Sequence, residues 1–174
     1  MRICLAMITG LAWTVVVPLT AQSPVSDVLR MFTTRAARNL VGSAETMPPD
    51  KYAYKPTAPQ MSFADVIVHV AGDNASMCGW IAGATPPEQP KLTNTDSKDK
   101  LVAALRGSFD YCSSALSKVD DSKLADSVPF FGRKMTRAAV MMILASDWSD
   151  HYSQMAIYLR LNGLLPPTAK HKEG

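Results

Sequence analysis

Val140-Met141-Met142-Ile143-Leu144-Ala145-Ser146-Asp147-Trp148-Ser149-Asp150-His151-Tyr152-Ser153-Gln154-Met155-Ala156-Ile157-Tyr158 reads as one helix whose apolar face is broken by charge. On a helical wheel Val140, Ile143, Leu144, Met155 and Tyr158 share a face, and Asp147 and His151 fall in its middle. Their i, i+4 spacing stacks the two side chains one above the other. A carboxylate turned toward a core is costly unless it is paired or holds a cation. The helix is predicted from near Thr136 to Leu161. Asn162-Gly163 stops it and Pro166-Pro167 seals the end.

Three further helices are predicted upstream. The first runs from about Pro24 to Ala44 and ends before Met47-Pro48-Pro49, where proline blocks continuation. The second starts at Ser62, where Ser62-Phe63-Ala64-Asp65 fits a capping box, and reaches Ile81 or Ala82 before Gly83 and Pro86-Pro87. The third spans about Ser97 to Val119, with Leu101, Leu105, Phe109, Cys112 and Leu116 as its apolar stripe. Pro129, Phe130, Phe131 and Gly132 are read as part of a loop. No alternation of apolar and polar residues is long enough for a sheet, so the pattern predicts an all-α four-helix bundle over 22–167 with a flexible tail over 168–174.

The chain of 174 residues opens with an export-like segment. Arg2 precedes an apolar run from Ile3 to Val17, and Ala21 is the small residue expected before cleavage, which makes 1–21 a signal peptide. The run is about 15 residues against the roughly 20 that a spanning helix needs, so no stable membrane anchor is expected after cleavage. A secreted or periplasmic location follows. The formal net charge of +3 is small, and no Lys/Arg cluster accompanies it, which excludes nucleic acid as an expected partner. Of the three cysteines, Cys78 and Cys112 lie beyond the signal; an oxidising compartment permits their pairing, and a reducing one would keep them as thiols.

The second helix repeats the anomaly of the last. Val66, Val70, Met77 and Trp80 mark its apolar face, His69 sits on that face, and Asp73 projects there one turn later. The interior must then accommodate two imidazoles and one or two carboxylates. Two readings are open. One is a purely structural network pairing His151 with Asp147 and His69 with Asp73. The other is a divalent metal, for which imidazole and carboxylate together suit zinc, nickel, iron or manganese. Two histidines and one carboxylate also leave positions open for water or substrate.

The stretch Asp147-Trp-Ser-Asp-His151-Tyr-Ser-Gln-Met-Ala-Ile-Tyr158-Leu-Arg-Leu-Asn162-Gly163-Leu-Leu-Pro166-Pro167 resembles the final helix of DinB-like proteins. Ser62-Phe63-Ala64-Asp65-Val66-Ile67-Val68-His69-Val70-Ala71-Gly72 resembles their second helix, and Phe131-Gly132-Arg133-Lys134-Met135-Thr136-Arg137 resembles the lead-in to the last. The resemblance implies an up-down-down-up four-helix bundle with a long crossover between the second and third helices. It also implies a divalent metal held by His69, Asp147 and His151. Asp147 departs from the family pattern, where histidine is the commonest residue. Aspartate remains a competent ligand but makes the site richer in oxygen and less cationic.

If the second and third helices run parallel, Cys78 and Cys112 lie at nearly equal depth from the starts at Ser62 and Ser97, and a disulfide between them is expected. The connection from Ala84 to Asp96, extended, spans roughly 40 Å, enough to return along the second helix. The functional expectation is an exported metal-dependent enzyme, of hydrolase or transferase type, acting on a small molecule. Asp73 is the candidate additional ligand or supporting group, and Gln154 and Tyr158 are candidates to orient substrate. No catalytic nucleophile is assigned: Ser146, Ser149 and Ser153 form no Ser-His-Asp arrangement. The alternative is a non-catalytic metal- or ligand-binding module, for which a homodimer is one expected form.

Overall fold

The computed structural model describes residues 23–85, 88 and 91–170. The predicted signal peptide over 1–21 and the end of the tail, 171–174, lie outside the described residues. Four long helices build the molecule: α1 (Pro24–Thr46), α2 (Phe63–Ala82), α3 (Lys98–Leu116) and α4 (Arg137–Leu161). A short α5 (Pro167–Lys170) follows. No helix among the described residues is long and apolar enough to cross a membrane.

Cross-helix bonds define the directions. Tyr158 Oη donates to Met61 O, and Trp148 Nε1 donates to Asn74 Oδ1, so α2 and α4 are antiparallel. Asn74 Nδ2 donates to Ser108 Oγ, while Cys78 is bridged to Cys112, so α2 and α3 run together. Arg30 Nη1 donates to Leu116 O and Val119 O, and Lys98 Nζ donates to Glu45 O and Met47 O, so α1 opposes α3. The order is up-down-down-up, with the long connection after α2 carrying the chain back.

The helix ends form where the sequence supplies partners for free backbone groups. Ser62 and Asp65 make the full capping box at α2. Ser97 and Thr136 cap α3 and α4. The α1 start has no side-chain cap from Ser23; instead Asp121 accepts from Val25 N, Ser26 N and Ser26 Oγ. At the other end of α1, the Lys98 ammonium takes the orphaned carbonyls, as a cation at a helix C-terminus should. Leu40, Phe63, Ile67, Leu101, Leu105, Val140, Leu144 and Met155 are fully shielded and form the core.

Two expectations change. The segment read as loop over 129–132 is a hairpin, β1 (Ser127–Phe130) paired antiparallel with β2 (Arg133–Thr136). Phe131 and Gly132 both take positive φ, 42° and 80°, which suits a two-residue turn between right-twisted strands. Strands of four residues are too short for alternation to declare itself. The tail expected from 168 onward begins as α5. Pro167 is buried against Gly42, where an added Cβ would come within 3.1 Å of its ring, and Tyr152 Oη bonds Thr168 Oγ1 at 2.6 Å.

One polar chain crosses this core. Trp148 Nε1 meets Asn74 Oδ1 at 2.7 Å, and the amide of Asn74 passes on to Ser108 at 2.9 Å. Asn74 is wholly buried, so each bond satisfies a group that water cannot reach. Trp148→Phe is expected to lower stability by about 1–3 kcal/mol in urea denaturation, because it leaves Asn74 Oδ1 without a donor. Cys78→Ser/Cys112→Ser is expected to cost about 3–4 kcal/mol on the chain-entropy model. Equal stability of oxidised and reduced protein would contradict that second expectation.

Candidate metal centre

α2 and α4 pass each other antiparallel, and this crossing assembles the site. His69 from α2 lies against Asp147 and His151 from consecutive turns of α4. The His69 and His151 rings stand edge to face with centroids 4.6 Å apart. Asp147 Oδ1 is 3.3 Å from His151 Nε2 and 3.6 Å from His69 Nε2. One ligand atom from each of the three residues lies within 4.8 Å of the others. The side chains retain 37 % exposure at His69, 17 % at Asp147 and 15 % at His151. The trio therefore sits partly buried in the groove between α2 and α4, at the edge of the bundle interior. The interior at this level belongs to Trp148 and Asn74.

The hydrogen-bond chain behind His151 decides which imidazole nitrogen faces the groove. Met61 O can only accept, so Tyr158 Oη donates to it, at 2.9 Å. Tyr158 Oη then accepts from Gln154 Nε2 at 2.9 Å. That turns Gln154 Oε1 toward His151 Nδ1, 3.2 Å away, so Nδ1 carries the proton. The lone pair of His151 is left on Nε2, directed at Asp147. Gln154 and Tyr158, the candidates to orient substrate, are bonded in line behind a candidate ligand. Tyr158 is 1 % exposed and its hydroxyl is already committed.

A neutral His151 thus presents a lone pair to a carboxylate oxygen that is also an acceptor. Such an arrangement needs a cation between them, either a proton or a metal ion. Ligand atoms about 2.0–2.2 Å from a tetrahedral ion lie roughly 3.3–3.6 Å apart, which matches both Asp147–His separations. Asp147 Oδ2 is buried and has no hydrogen-bond partner among the described residues. A carboxylate with one oxygen against two imidazole nitrogens and the other unsatisfied fits a divalent ion of the zinc, nickel, iron or manganese type. Asp73 approaches the trio through His69, with Oδ2 3.4 Å from His69 Nε2.

The electrostatics agree. Burial pushes the Asp147 carboxyl up, but His151 and His69 together outweigh it and hold the group at about 2. The Asp147 carboxylate raises both imidazoles above their ordinary value, against the opposing effect of burial. Asp73 is raised, first by burial and then by Asp147, with His69 and His151 opposing. Ser149 donates to Ala145 O, and Ser146, Ser149 and Ser153 are all exposed. Sequence reasoning missed Asn74, Trp148 and Ser108. Asn74 follows Val70 by one turn on the apolar face of α2, and that was the available signal.

The family model described as the DinB superfamily matches residues 33–155, and the chain belongs to that superfamily. Its fold is similar to that of a DinB-like protein from Bacillus subtilis, with 20% identity and a TM-score of 0.64 over 78% of this chain and 92% of that one. A DinB-like protein from Bacillus cereus gives 17% identity and a TM-score of 0.66 over 81% and 95%. A conserved protein from Enterococcus faecalis gives 13% identity and 0.59 over 76% and 94%. No match exists among curated proteins. At these identities the likeness concerns the fold alone.

The raised imidazoles set the pH response of metal-free protein. Their stabilising effect is complete below their unfolded value of about 6.5 and is lost as pH rises through the higher folded values. Asp73, also raised, loses its contribution in the same direction. Asp147 acts oppositely: its contribution is present above the ordinary carboxylate range and is lost as pH falls through about 2. Chelator-treated protein is expected to be most stable to urea near about pH 5–6 and weaker near pH 8. Stability that climbs steadily from pH 6 to 8 in chelator would contradict the assignment.

Proposed function

We infer that the protein holds a divalent metal ion through His69, Asp147 and His151 and works as a metal-dependent enzyme, of hydrolase or transferase type, on a small molecule. The observation that carries this reading is the convergence of His69 Nε2 and His151 Nε2 on one Asp147 oxygen, at spacings suited to a shared cation. Three ligands from partly exposed side chains leave coordination positions open, the arrangement of catalytic sites. A bound ion would supply Lewis acidity toward a substrate oxygen or a water.

The chain's own groups would do the rest. Gln154 and Tyr158 fix the tautomer and ring plane of His151, as outer partners of metal-ligating histidines do. Asp73 Oδ2, beside His69 Nε2 and raised by burial, is placed to accept a proton at the mouth of the groove. Trp148, bonded to Asn74, keeps the turn of α4 that carries Asp147 in place. Export is part of the proposal, supported by the Cys78–Cys112 disulfide, a bond that persists in oxidising compartments.

Protein purified without a histidine tag is expected to bind about one equivalent of zinc or a neighbouring divalent ion, measured by mass spectrometry of the metal, and to melt at lower temperature after chelation. Asp147→Ala and His151→Ala should each abolish stoichiometric binding, while Asp147→His should retain it. Gln154→Ala should weaken affinity roughly 10–100-fold with the helix content unchanged. Asp73→Asn should keep the metal. A folded protein that takes up no divalent ion, and whose melting is indifferent to chelator, would sink the proposal.

A further inference from the structure

A second concavity lies on the opposite flank of α4. It is a cleft of about 500 Å3 between α1, α4 and α5. Arg35, Asn39 and Phe32 of α1 line one side, and Trp148, Tyr152 and Arg160 of α4 line the other. None of His69, Asp147 and His151 lines it, so the cleft does not belong to the metal centre. Its volume falls within the ordinary range of small-molecule sites.

The lining has a definite chemistry. It holds two arginines and no carboxylate. Neither guanidinium has an ion-pair partner among the described residues, in contrast to Arg30, Arg106 and Arg137. Two unneutralised arginines over apolar walls raise the local concentration of anions, and the planar guanidinium fork matches carboxylate and phosphate oxygens. Phe32 and Tyr152 supply aromatic surface for an apolar body, and the buried Trp148 indole forms the floor beneath it. Asn39 is only 4 % exposed, and its Oδ1 has no hydrogen-bond partner among the described residues. A buried amide oxygen left unpaired is expensive, and a ligand N–H or O–H would satisfy it.

The far end of the cleft is built rather than accidental. Gly42 lets Pro167 sit against α1, and Thr168 is tied to Tyr152 through both its hydroxyl and its backbone N–H. α5 is thereby pinned across α1 and α4.

We propose that the α1–α4–α5 cleft is a binding site for a small organic anion, with Arg35 and Arg160 taking its carboxylate or phosphate and Phe32 and Tyr152 taking its apolar body over the Trp148 floor. The site is independent of the metal centre, and its test is run in chelator. 4-Phenylbutyrate, phenyl phosphate and benzylamine are titrated into the full chain by calorimetry. Saturable one-to-one binding is expected for at least one of the two anions, with quenching of tryptophan fluorescence, and none for the cation. The tighter anion identifies the headgroup. Arg35→Gln/Arg160→Gln, at two exposed positions that leave the core untouched, should weaken binding by about tenfold or more. Lysine at the same positions should recover part of the loss. His69→Ala/His151→Ala should bind as the parent does. The proposal is overturned if neither anion binds up to about 10 mM, if the arginine variant binds unchanged, or if the histidine variant loses binding instead.

Discussion

The hydrogen bond from Trp148 Nε1 to Asn74 Oδ1 sets the rotation of α4 against α2, and the candidate metal site depends on it. Both groups are shielded from water, so each would be left unsatisfied at considerable cost in any other rotation. Trp148 directly follows Asp147. With the indole locked into the core, the preceding residue must emerge about 100° around the helix, on the side facing His69. Asn74 lies between His69 and Cys78 on α2, one turn before the cysteine bridged to Cys112 of α3. The same turn of α2 is thus held to α4 by a hydrogen bond and to α3 by a disulfide.

That arrangement lets the site be polar without destabilising the bundle. His69, Asp147 and His151 stand at the groove, partly hydrated, and the dry interior behind them is closed by a fully paired network. Asp147 Oδ2 is the exception, buried and unpartnered. A carboxylate accepts more than one bond, and here one oxygen serves two imidazoles while the other serves nothing. The proton held on His151 Nδ1 by Gln154 leaves the Nε2 lone pair facing the Asp147 carboxylate. Those two acceptors repel while His151 is neutral and are reconciled when a cation enters. This is the physical content of the raised histidines and the lowered aspartate.

The helices were legible because each carries its own signals. Ser62 with Asp65, Ser97 and Thr136 mark starts that the structure reproduces as caps. Asp147 and His151 stood out because they break an apolar face that Val140, Leu144 and Met155 define. The hairpin over Ser127–Thr136 was not legible, since four-residue strands carry no period and the turn depends on positive φ at Phe131 and Gly132. The docking of α5 was hidden for a similar reason: it rests on the absence of a side chain at Gly42, a residue far away in sequence.

Local sequence by itself determined which segments are helical, where they begin and stop, and which polar residues interrupt apolar faces. Those properties depend on neighbours within a turn, where spacing alone dictates contact. Tertiary structure decided what the interruptions meet. It brought His69 to Asp147 across an antiparallel helix pair and left the trio partly buried between α2 and α4. It also set Gln154 and Tyr158 in a hydrogen-bonded line behind His151. Such outcomes follow from helix rotation, and a helix of fixed sequence can rotate by one residue without changing any local signal. Here a buried indole and amide, each with one available partner, settled that rotation.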